Sequence, residues 1–162
     1  MKNTTKKCLI SLAVLIGVVL AIVAMFVTIV KTTSTLTSYK VVYQIFDEGF
    51  NEISDVSRAL MAFTIITAIL SVIVFALSIL EAMGVFNSRK IRTVVALLLI
   101  VCAIIAFALS FVFASDIGGF SAGSVEVKSS PAIGAYLAFF GGLVAGVAGM
   151  FKLSNKGKRK RK

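Results

Sequence analysis

A chain of 162 residues with 59% apolar and only 15% charged residues carries more apolar surface than a water-soluble fold of this size can hide, ordinary globular chains holding about 45–50% and about 25%. The net charge of +10 excludes little by itself, but the basic residues flank apolar runs instead of forming a basic face on a soluble scaffold, so nucleic acid is disfavoured as a partner. With no histidine, and with Cys8 and Cys102 in or beside apolar runs, neither a disulfide framework nor a metal site can be read, and no cofactor is expected.

In chain order, Lys2, Lys6 and Lys7 precede a charge-free apolar run at 8–30. At about 1.5 Å per residue it spans a hydrocarbon core, and backbone groups in lipid must be satisfied internally, so the run is expected to be a membrane helix. It is longer than the apolar core of a cleaved signal and no A-x-A site closes it, which favours its retention. Residues 31–58 form a first outer loop. Within it, 39–46 (YKVVYQIF) reads as a strand, and Phe50, Ile53, Val56 and Leu60 recur at helical spacing after Asp47 and Glu48. The second helix, at 59–80, is therefore expected to begin ahead of the membrane. Gly84 suits its C-terminal stop, and Asn87 or Ser88 suits a cap for the third helix at 93–114. A second outer loop, 115–131, offers a short strand at 124–128, and Ser130-Pro131 reads as N-cap and first-turn proline of the fourth helix, 132–151. A basic tail, 152–162, follows.

The expected architecture is an all-α integral membrane protein, one four-helix transmembrane bundle with a small extracellular β cap. Thirteen basic residues fall at the N-terminus, the middle turn and the tail, against Lys31, Lys40, Arg58 and Lys128 on the other side. That asymmetry puts both termini of a multi-pass cell-membrane protein in the cytoplasm. The two halves of the chain share one plan, which a distant duplication would produce and so would any four-helix protein with cytoplasmic ends.

Chemistry-bearing groups are few. Ser11, Thr28, Thr64, Thr67, Ser71, Ser78, Cys102 and Ser110 are weakly polar residues in apolar runs, and hydroxyls there serve best as bonds to their own helix or as glue between helices. Thr64, Thr67 and Ser71 make a seam on the second helix. Glu81, the one acid on the basic side, stands at a helix end where its charge opposes the macrodipole; an interfacial, exposed ion pair with Arg89 or Arg92 is the favoured reading, and a coupling-ion site the sharper alternative. Gly134, Ala138, Gly142 and Gly146 form a small-residue ridge at i, i+4 spacing, beside Gly141, Ala145 and Gly149, which lets a neighbouring backbone approach closely. That neighbour is expected to belong to the same chain; a homo-oligomer or larger membrane complex is the other use. Lys156, Lys158, Arg159, Lys160, Arg161 and Lys162 form a polybasic segment suited to anionic lipid at the membrane surface. No phosphate loop, nucleophile elbow or paired intramembrane carboxylates can be found, so no enzyme is expected.

The lysine-rich start KNTTKK, the turn NSRKIR and the run PAIGAYLAFFGGLVAGVAGMFK ahead of a basic tail resemble the small, uncharacterised four-helix membrane proteins of Gram-positive bacteria. The plan also looks like the claudin arrangement, with cytoplasmic ends and a longer first outer loop of strand character. It departs from claudins in lacking tryptophan and a cysteine pair in that loop, so barrier function is not implied and no functional residue carries over. The expectation is a non-catalytic structural or interaction protein of the membrane, an accessory subunit or envelope factor; the alternative is a small transporter or channel component.

Overall fold

A computed structural model describes residues 2–34, 40–83, 89–118, 121–122 and 125–151. The basic tail 152–162, the turn residues Gly84, Asn87 and Ser88, and the first residues of both expected strands lie outside the described residues. Four helices, α1 (Lys2–Ala24), α2 (Asp55–Ala82), α3 (Arg89–Gly118) and α4 (Ile133–Met150), alternate in direction. Each is long and apolar enough to cross a membrane. Four strands, β1 (Val30–Ser34), β2 (Lys40–Tyr43), β3 (Ser121–Ala122) and β4 (Val125–Pro131), lie side by side in the order β2-β1-β4-β3 at one end of the bundle. The N-terminus of α1 and the C-terminus of α4 share the opposite, terminal end.

All four helices bury residues in alternating steps of three and four, the repeat of left-handed bundles. In α2 the buried stripe is Ser57, Leu60, Thr64, Thr67, Ser71, Val74, Ser78 and Glu81; in α3 it includes Arg92, Ala96, Leu99, Ala103, Ala106, Ser110 and Phe113. Outward positions are apolar: Leu9, Val94 and Phe140 are all more than half exposed. Only a third of the apolar window is buried in α1, α2 and α3, and half in α4. Small and hydroxyl-bearing residues inside and large aliphatic ones outside invert the arrangement that water selects, and they match hydrocarbon.

Three expectations are corrected. The first helix stops at Ala24, not at residue 30, because Val27-Thr28-Ile29-Val30 is a β-branched run that feeds β1. Ser130 and Pro131 belong to β4, where Pro131 is the last strand residue, and Ala132 is the N-cap of α4. Asp47 does not start a helix. Its carboxylate accepts the Gln44 N–H at 2.7 Å in a tight turn, after which Gly49, with φ of 79°, opens a single 3-10 turn at Phe50–Glu52. Helix α2 begins later, at Ser54, whose Oγ accepts the Ser57 N–H while Ser57 Oγ accepts the Ser54 N–H, both at 3.1 Å.

Strand β1 is central, pairing antiparallel with β2 (Val30 opposite Tyr43) and with β4 (Val30 opposite Pro131). Thr32 and Ser129 hydroxyls bond across it at 2.7 Å. A tandem duplication would give β1 and β3 equivalent places, yet β1 is central and β3 lies at the edge. The segment between α1 and β1 also secures α4. Thr28 carbonyl accepts the Gly134 N–H at 2.9 Å and Ile29 carbonyl accepts the Ala132 N–H at 2.7 Å, so donors that a helix start leaves orphaned are filled. Beneath the sheet, Ile29, Ile45, Leu60 and Ala114 surround Phe113, whose ring meets Tyr43 and Phe50 edge-on at 5.8 and 5.3 Å. A second apolar cluster, with Val14, Val74, Leu99 and Ala145, lies toward the terminal end.

Candidate functional site

The site begins with the two longest stripes. Stepping by three and four along α2 ends on Glu81, and stepping back along α3 ends on Arg92, so two antiparallel neighbours deliver a carboxylate and a guanidinium to the same level. Arg92 Nη2 stands 3.2 Å from Glu81 Oε2, and the two side chains are 1% and 3% exposed. The same Nη2 donates to the carbonyl of Phe151, the residue that closes α4. Arg92 thus ties three helix ends together. Glu81 carries a charge opposed to the α2 macrodipole, and the guanidinium beside it compensates. Among the described residues, Arg92 Nε and Nη1 have no hydrogen-bond partner.

This geometry corrects the sequence reading in one respect. An exposed, interfacial pair was expected, and the pair is enclosed by protein. The three basic residues of the turn are also not equivalent: Arg89 and Lys90 are exposed and Arg92 is fully buried. The signal was available in the spacing, since Arg92 precedes Ala96, Leu99, Ala103 and Ala106 in steps of four, three, four and three. The Phe151 carbonyl, a backbone group, had no signal at all.

The polar seam extends further than the three residues noted on α2. Thr64 and Thr67 donate to the carbonyls of Leu60 and Phe63, Ser71 to Ala68, Ser78 to Val74, and on α3 Ser110 to Phe107, at 2.6–2.8 Å. Their hydroxyl protons are spent on their own helices. Cys102 is buried and Cys8 exposed, both as free thiols. Among the described residues no group of three His, Cys, Asp or Glu side chains could hold a metal ion.

The ridge residues of α4 face different neighbours in this chain. A Cβ on Gly142 would meet Ala103 Cβ at 2.5 Å, and one on Gly146 would meet the Ile100 side chain. On Gly134 it would meet the Thr28 and Val27 carbonyls at 2.7 and 2.8 Å. Ala138, on the same ridge, is buried. On the second ridge Gly141 and Ala145 serve α1: a Cβ on Gly141 would reach the Ala21 amide, and one on Gly17 the Ala145 amide, whereas a Cβ on Gly149 would meet Val74 of α2. Backbones in such contact leave no room between α1 and α4 at this level. No protein-family model and no curated protein matches the chain.

Proposed function

We propose that this chain is a non-catalytic, multi-pass structural or interaction protein of the cell membrane, an accessory subunit or envelope factor with both termini in the cytoplasm. It offers the four-stranded sheet to the outer side and the basic tail to anionic lipid on the inner side. The observation that carries the reading is the contrast between the bundle and its sheet end. The helices meet through glycine and alanine at backbone distance, and their hydroxyls are spent internally, whereas the sheet draws strands from both loops into one extramembrane surface. Resemblance to small four-helix membrane proteins, and to the claudin plan without its barrier motif, is consistent with that role. A membrane complex or homo-oligomer is the partner class it fits.

Orientation is tested by single cysteines in a background lacking Cys8 and Cys102. One at Glu48, exposed beside the sheet, should react with impermeant maleimide on intact cells, and one at Lys90, exposed at the other end, should react only after lysis. The reverse pattern overturns the topology. Function is tested by purification in mild detergent after crosslinking, where a second protein or copy recovered with the wild type should be lost on replacing the sheet loops.

The second reading, a small transporter or channel component, is favoured by one observation: Arg92 and Glu81 are ionisable residues buried inside the bundle, where such residues usually mark transport paths. Proton and cation flux in reconstituted vesicles separates the two. Wild-type flux above empty vesicles that disappears when Glu81→Leu is combined with Arg92→Met, which removes both charges without stranding either, would replace the structural reading.

A further inference from the structure

The apolar stripe that α1 turns away from the bundle runs past the end of the helix. Leu9, Leu12, Ile16, Val19 and Val23 are exposed and recur in alternating steps of three and four. The next position in that repeat is Phe26, the most exposed of the series at 65%. It lies in a turn beyond Ala24, where the Met25 and Phe26 N–H groups still donate to the carbonyls of Ile22 and Val23 at 3.1 and 3.0 Å. Against its ring lies Phe46, 52% exposed, from the turn after β2, with ring centroids 5.6 Å apart. The first loop thus lays a second aromatic ring on the outer end of the α1 stripe.

Length decides what covers the pair. The charge-free part of α1, residues 8–24, rises about 25 Å, whereas a hydrocarbon core is about 30 Å thick. The charge-free runs of α2 and α3, 59–80 and 93–114, rise about 33 Å. Lys7 bounds the α1 run on the terminal side, while residues 25–30 carry no charge, so the missing rise lies on the sheet side, at Phe26. Backbone at that depth needs partners. Besides the turn, the Ile29 N–H donates to the Tyr43 carbonyl at 2.8 Å, and the Thr28 and Ile29 carbonyls accept the amides that open α4. Asp47 and Glu48, which follow Phe46 at once and are exposed, limit the depth to the boundary. A second copy is a poorer cover: two rings of at most about 250 Å² each stay below the roughly 1,200 Å² of a stable interface even when both copies contribute.

We propose that Phe26 and Phe46 are a lipid-inserted foot of the first loop: the two rings enter the boundary between acyl chains and headgroups at the sheet end and seat the β2 edge of the sheet on the bilayer surface. The proposal rests on the membrane-spanning reading but on no choice between structural protein and transporter.

The chain has no tryptophan, so a single introduced one is the only indole, and its quenching by brominated lipid tests the proposal. In vesicles of phosphatidylcholine and phosphatidylglycerol, Phe46→Trp should emit at shorter wavelength than in water. It should lose more emission to lipid brominated in the upper part of its acyl chains than to lipid brominated near the chain ends. Val19→Trp, midway along the same stripe and lipid-facing, should show the opposite order. Thr33→Trp, exposed on β1, should be quenched by aqueous iodide and by neither lipid. Should Phe46→Trp melt below wild type in detergent, Phe26→Trp replaces it. A Phe46→Trp protein that brominated lipid leaves bright, while Val19→Trp is quenched, would overturn the proposal and keep the membrane reading. If that bright emission is also shielded from iodide, a second copy covers the pair. Absence of lipid quenching at Val19→Trp as well would overturn both.

Discussion

Phe113 and Arg92 stand near the two ends of one buried stripe on α3, both fully buried, and are held in opposite ways. Around Phe113 the support is spread over two rings and a ring of aliphatic side chains, and each contact is individually small. Around Arg92 it is concentrated in one carboxylate and one carbonyl. The sheet end should therefore yield gradually to substitution, and the terminal end abruptly. Where stabilisation is dispersed, no single neighbour is decisive; where it lies in a charge pair, either partner is.

The largest expected effect tests the charged end. Glu81→Gln strands a buried guanidinium, and breaking a buried pair costs about 3–5 kcal/mol, so the variant should melt far below wild type in detergent. Replacing both groups, Glu81→Leu with Arg92→Met, should recover most of that loss, because the desolvation of two charges is removed with their attraction. A Glu81→Gln protein that melts with wild type would erase the contrast between the two ends. Next in size, Gly142→Leu should cost about 1–3 kcal/mol by overpacking against Ala103, and would show whether the middle of the bundle is as closely fitted as its ends. Smaller still, Phe113→Leu keeps an apolar side chain among apolar neighbours and should cost about 1.5 kcal/mol or less; a loss as large as that of Glu81→Gln would show that the sheet end, too, hangs on one residue. At the bottom of the scale, Ser54→Ala removes half of the α2 capping box and should cost about 1 kcal/mol, read as a small shift in melting temperature.

Much of the architecture could be read from residue order, for a physical reason. A helix that crosses hydrocarbon must be long, apolar and internally bonded, which is a one-dimensional requirement, and 59–80, 93–114 and 132–151 fall inside or within a residue or two of α2, α3 and α4. Strand β1 obeys no such rule. Val27 to Val30 is apolar enough to extend a helix, and it becomes a linker and strand because Tyr43 and Pro131 lie on either side of Val30, partners that only the folded chain supplies. The candidate site divides the same way. Glu81 stood out as a lone acid, and the burial of Arg92 was encoded in its heptad spacing, but the third member of the tie is the main-chain carbonyl of Phe151, to which side-chain identity is blind. The ridge glycines were visible as a pattern, whereas their division among α1, α2, α3 and the segment after α1 followed only from the three-dimensional packing.

The suture of the first loop to the last helix has a consequence for biogenesis. Thr32 bonds a residue 97 positions later, and α1 rests mainly on α4, so a segment that leaves the ribosome early docks with one that leaves it much later. Until α4 emerges, β1 has an open edge on the side where β4 will pair, and Gly17 and Ala21 face an empty slot. Pairings of such long range close slowly, after the loop between them has been ordered. A nascent chain of three helices is thus an unfinished object with adhesive surfaces both in the membrane and outside it, and the last helix acts as the keystone that retires them together.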